Sequence, residues 1–106
     1  MNLRVMRVIV FFDLPITTIQ GIRAYTKFRR FLLKDGFIMM QESVYVKLAM
    51  NQGSADLIVK NIRKICPEEG IVQVLQVTEK QFSKMEFLVG KAQTDYVDSD
   101  ERFIEL

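Results

Sequence analysis

Between Arg4 and Phe12 the chain shows no helical period, and Val8, Ile9, Val10, Phe11 and Phe12 follow one another without a polar interruption. Such a run predicts a strand covered on both faces and so lying inside a sheet, with Arg4 and Arg7 marking its wetter beginning. From Thr17 to Lys34 the period becomes helical, with Ile19, Ile22, Tyr25, Phe28 and Leu32 on one side and Phe31 and Leu33 widening it. Thr17 or Thr18 supplies the N-cap and Gly36 the stop. Phe37 to Leu48 alternates as an extended segment, with Ile38, Met40, Val44, Val46 and Leu48 on one face and Gln41, Ser43, Tyr45 and Lys47 on the other. Its length predicts one long strand or two joined by a kink near Gln41-Ser43.

Asn51-Gln52-Gly53-Ser54 reads as a turn ending in an N-cap, and Ala55, Ile58, Val59, Ile62 and Ile65 give a second amphipathic helix that Pro67 and Gly70 terminate. Ile71 to Thr78 predicts another strand, Glu79 to Lys84 a turn or single helical turn, and Met85 to Val89 a shorter last strand. The order β-α-β-α-β-β, with a split second strand allowed, points to an α+β sandwich of the ferredoxin-like kind, an antiparallel sheet with two helices on one face. Residues 1–90 are expected to form this domain. Residues 91–106 form an acidic C-terminal tail, suited to an added strand or to docking on a partner through Phe103 and Ile104.

A chain of 106 residues with 49% hydrophobic content has room for one compact domain. Its formal charge of +2 is unevenly spread: residues 1–90 hold thirteen Lys or Arg against eight Asp or Glu, and 91–106 hold two against five. A basic body of this kind attracts polyanions. The absence of histidine removes imidazole bases, Ser-His and Cys-His pairs and His-containing zinc sites. The single Cys66 excludes an internal disulfide, and it reads as a small core residue. Without a signal-peptide pattern or a long apolar span, the expected location is the cytoplasm, with no membrane association.

Chemistry must then rest on carboxylates, hydroxyls, lysines or an oxygen-bound metal, and Asp13 stands out. It closes the apolar run, where a carboxylate is costly to desolvate unless it faces a cleft, a cation or another subunit. An Asx-type cap or turn role suits the same residue, because Asp13-Leu14-Pro15 precedes Thr17-Thr18. The uncovered face of a small sandwich is commonly buried against a second copy, and a two-fold axis would bring two Asp13 carboxylates together. Magnesium suits that arrangement, since it takes few carboxylates, keeps waters and accepts substrate phosphates. Arg23, Lys27, Arg30 and Lys34 follow a four-three-four spacing along the first helix with hardly an acidic neighbour, so the row reads either as a solvated face or as a nucleic-acid backbone contact. Ser43 and Tyr45 are candidates for supporting Asp13 or contacting a second subunit.

The hydrophobic strand ending in Phe12-Asp13, the basic helix after it, Gly36-Phe37 followed by Gln41-Glu42-Ser43-Val44-Tyr45, and the late hydrophobic strand together resemble the CRISPR-associated protein 2 family. Val77 to Phe82 and Asp98 to Arg102 resemble its type II branch. The resemblance spans essentially the whole chain. It implies a ferredoxin-like homodimer formed through the sheet side, with Asp13 as the strand-end aspartate, one per subunit, facing magnesium at the interface. It also implies a component of the spacer-acquisition complex that lies along a double-stranded DNA fragment and bridges integrase subunits, with magnesium-dependent endonuclease activity that varies among members. Many relatives carry Tyr before that aspartate; Phe12 supplies no phenol. From the residues alone, a metabolite-binding regulatory module of the same fold, without a nucleic-acid role, is the alternative.

Overall fold

A computed structural model of the chain describes residues 4–91. Strand β1 (Met6–Asp13) is followed by helix α1 (Ile19–Lys34), the hairpin β2 (Ile38–Gln41) and β3 (Val44–Ala49), helix α2 (Gln52–Ile65), strand β4 (Ile71–Thr78) and the single-turn helix α3 (Glu79–Phe82). The strands form one antiparallel sheet in the order β2-β3-β1-β4. This is the ferredoxin-like α+β arrangement, with the kink in the long alternating segment realised as a tight turn at Glu42-Ser43.

Local chemistry explains the boundaries. The Thr18 hydroxyl accepts the Gly21 amide at 2.9 Å and so caps α1, and Gly36, at φ 98°, ends it in a left-handed conformation open to glycine. Asn51 caps α2 by accepting the Ser54 amide at 2.8 Å, so the cap falls three residues earlier than the turn pattern predicts. Thr78 and Gln81 form a reciprocal capping box on α3.

Both long helices cover one face of the sheet. Val8, Val10 and Phe12 of β1, with Tyr45 and Ala49 of β3, pack against Phe28 and Leu32 of α1 and Ala55, Ile58 and Ile62 of α2. Phe12 sits at the centre of an aromatic cluster, 5.1 Å edge-to-face from Phe28, 5.6 Å from Tyr45 and 5.8 Å from Tyr25 between ring centroids. Tyr45, expected on the polar side of its strand, is 1% exposed. Pairing of Val10 with Tyr45 puts both on the helix-covered face, and the alternation brings Val44, Val46 and Leu48 to the other. That second face carries Ile9, Phe11, Ile38, Ile71 and Leu75 as well, and no helix longer than α3 lies over it; Ile38, Leu48, Ile71 and Leu75 are each about half exposed.

Three further expectations change. Met85–Val89 is not a strand: it leaves α3 as irregular chain, with Leu88 and Val89 87% and 92% exposed, and it pairs with neither edge strand, β2 or β4. Ile19 and Ile22 point outward, 65% and 50% exposed. Gly21 faces inward in their place, so close to Pro15 that a methyl group there would lie 2.4 Å from the Pro15 carbonyl oxygen, and this approach sets the rotation of α1. Cys66 is exposed at the end of α2. The acidic tail predicted over 91–106 lies, beyond Lys91, outside the described residues.

Candidate nucleic-acid and metal site

Asp13 is the last residue of β1 and is exposed. Its register partner is Ile71, which places it in the same alternation as Phe11 and Ile9, on the face the long helices leave open. Phe11, Asp13, Ser43, Val44, Ile71 and Gln73 surround a shallow hollow of about 300 Å³ there. Two backbone features hold this end of the strand. The Phe12 amide donates to the Ser43 carbonyl at 3.1 Å, tying the β2–β3 turn to β1. Ser43 adopts φ 66°, a left-handed conformation that costs a non-glycine residue about 1 kcal/mol or more. On the other side Gly70, at φ 95°, lies so near β1 that an added Cβ would sit 2.7 Å from the Asp13 carbonyl oxygen.

The cap reading of Asp13 is not what the local geometry uses, since Thr18 performs that role. Neither ion pair among the described residues involves Asp13; these join Arg7 to Glu79 and Lys47 to Asp35. Among the described residues the carboxylate is therefore without a partner cation. Among the described residues no group of three acidic or cysteine side chains converges on a metal-sized site. Magnesium is held by one or two carboxylates, with waters and substrate phosphates completing its shell, so Asp13 would supply one carboxylate and the Asp13 of a second copy would fit as the other.

Arg23, Lys27, Arg30 and Lys34 are all exposed on α1, on the side turned away from the sheet. No acid occupies the first turn of α1, and none of the four belongs to an ion pair among the described residues. Arg29, which falls off the four-three-four line, is exposed beside them. Lys60, Arg63 and Lys64 are exposed on α2 in the same helical layer. The cationic surface and the Asp13 hollow thus belong to different faces of the sandwich.

Ser43 lines the hollow beside Asp13, whereas Tyr45 does not: it is packed in the aromatic cluster, and the supporting or intersubunit contact expected of it has no surface to act through. The same cluster explains position 12. Its side chain points into the core, away from the hollow, so Phe in place of Tyr alters packing in the core. Gly70, Ile71 and Gln73 belong to the site through sheet register, which sequence spacing did not reveal. Desolvation raises the Cys66 thiol above its ordinary value while Arg63 pulls the other way, which lowers the share of reactive thiolate.

The family model described as CRISPR associated protein Cas2 matches residues 6–85. The chain belongs to this Cas2 family. Among its relatives, the CRISPR-associated endoribonuclease Cas2 of Treponema denticola is 54% identical over 101 residues, covering 95% of this chain and all of the relative. The protein of that name from Streptococcus mutans is 43% identical over 101 residues, covering 95% of this chain and 93% of its own. A solved structure, "Crystal structure of cas2", superposes with a TM-score of 0.58 over 87% of this chain and 94% of its own at 20% identity, and so supports the fold. The match region contains Asp13, the α1 cations and the whole of the sheet. No helix among the described residues is long and apolar enough to cross a membrane.

Proposed function

We propose that this Cas2-family chain acts as a homodimer in CRISPR spacer acquisition, binding duplex DNA, bridging integrase subunits, and cleaving phosphodiester bonds through its two Asp13 side chains. One observation carries the reading: an apolar sheet face that neither long helix covers, with Ile38, Leu48, Ile71 and Leu75 about half exposed, ends in an exposed Asp13 that forms no ion pair among the described residues. A face bearing Ile38, Leu48, Ile71 and Leu75 loses water contact favourably when a second copy covers it, at about 25 cal/mol per Å² of apolar surface. Pairing across a two-fold axis near the β1 ends brings the two carboxylates toward one another.

A magnesium ion held there would neutralise the phosphate charge that the carboxylates alone would repel. The chain's own residues do the rest. Gly70 and the Ser43 turn fix the end of β1, the hollow leaves room for a phosphodiester beside Asp13, and α1 offers backbone contacts that carry no base specificity. The relatives' name adds RNA to DNA as a substrate class.

The test is the Asp13→Asn variant, which removes one charge from an exposed position and preserves shape. Wild-type protein should run as a dimer, twice 12.4 kDa, by light scattering and cut RNA or DNA in a magnesium-dependent manner. The variant should keep the dimer mass and lose the cleavage. A monomeric wild type, or a variant that cuts at the wild-type rate, would overturn the proposal.

A further inference from the structure

The outer surface of α1 is not purely cationic. Positions 19, 22, 26, 30 and 33 fall along one line opposite the inward Phe28 and Leu32, and on it Ile19, Ile22 and Leu33 are 65%, 50% and 40% exposed. Ile16, in the loop before the helix, is 59% exposed at the same end. Arg23, Lys27 and Arg30 run along and beside this ridge. Phosphate contact needs the cations and has no use for the isoleucines, which stay wet on a nucleic-acid backbone. A surface that alternates apolar knobs with cations outside any ion pair among the described residues is complementary to a segment that alternates carboxylates with apolar anchors.

The chain itself contains such a segment. Residues 95–106 hold five carboxylates against one arginine, and among them are Phe103, Ile104 and Leu106. Nothing in residues 4–91 shares that composition. The fifteen residues after Lys91 can span about 50 Å when extended, against a length of about 24 Å for α1. We propose that residues 95–106 dock on the outer ridge of α1, apolar anchors on Ile19 and Ile22 and carboxylates on the neighbouring cations, and so compete with nucleic acid for them. The docking stands by itself; the competition rests on the nucleic-acid role proposed above.

The experiment uses the full chain carrying Ile19→Ser and Ile22→Ser, exposed positions whose change leaves the net charge and the cations intact. If the segment occupies the ridge about nine-tenths of the time, freeing it tightens the apparent affinity for duplex DNA roughly tenfold. A second full-length variant, Phe103→Ser with Ile104→Ser, should tighten binding similarly. In both variants the backbone amide resonances of α1 should shift in the same direction, because the same contact is lost. Amide shifts of α1 that stay unchanged in the Phe103→Ser, Ile104→Ser variant overturn the docking, whatever the DNA does. Shifted amides with unchanged DNA affinity retain the docking and overturn the competition.

Discussion

Replacing Arg23, Lys27, Arg30 and Lys34 together with alanine isolates what the cationic row contributes. From Arg23 to Lys34 the helix advances eleven residues, about 17 Å at 1.5 Å each. A duplex carries one phosphate charge per roughly 1.7 Å of axis, so about ten phosphates pass along that length and four contacts are sterically available. Each contact adds about 0.9 to the slope of log affinity against log salt, so losing four should flatten the slope by about 3.6. At about 0.15 M salt the same relation makes each contact worth roughly fivefold, and four of them on the order of a thousandfold. The four side chains are exposed and outside both observed ion pairs, so the fold should tolerate the change with little loss of stability. Fluorescence anisotropy of a labelled duplex, titrated from about 50 to 300 mM salt, reads both quantities. An unchanged slope would refute the placement of nucleic acid on α1, and a slope change of about one would reduce the row to a single contact.

Two further outcomes follow from the strand ends. Gly70→Ala forces a side chain into a left-handed conformation, costing about 1–2 kcal/mol, and drives its Cβ against the Asp13 carbonyl and Leu14. Thermal unfolding should drop by several degrees and Asp13-dependent cleavage should fall with it, whereas an unchanged midpoint would show that β1 does not need this close approach. At the other end, Glu79 receives the Arg7 guanidinium through two hydrogen bonds of 2.5 and 3.1 Å, with the guanidinium 4.6 Å above the Phe82 ring, and the first of these effects holds the carboxyl below its ordinary value of 4.5. A depressed carboxyl contributes stability that is present above its unfolded value and lost as pH falls through the folded one. The stability gap between wild type and Glu79→Gln, below about 1 kcal/mol for a pair this exposed, should close on acidification below pH 4.5; denaturant midpoints showing a constant gap down to pH 2.5 would contradict it.

Much of the fold was legible because the strongest local signals agree with the tertiary arrangement. β4 runs from Ile71 to Thr78 as its apolar composition predicts, and Gly36 and the threonines bracket α1. Asp13 was legible as a carboxylate ending a buried run, and the α1 cations by spacing. What escaped depends on contacts distant in sequence. The covered face of β3 could not be told from its own residues, since Tyr45 and Val46 both suit a core, and only pairing with Val10 decides it. The rotation of α1 depends on Gly21 meeting Pro15, which no hydrophobic period encodes. Met85–Val89 has the composition of a strand, but a strand is a pairing, and the chain turns away after α3. Gly70 and Gln73 reach Asp13 only through register.

The two borders of the sheet differ in how readily they invite growth. β2 is four residues long and irregular between Met39 and Gln41, a border that resists templating. β4 presents eight regular residues whose outer side pairs with no strand among the described residues, flanked by exposed Ile71 and Leu75. Such a border recruits extended chains. A closed two-fold assembly of the kind proposed would, by occupying the receptive margin, withhold it from open-ended fibrous stacking.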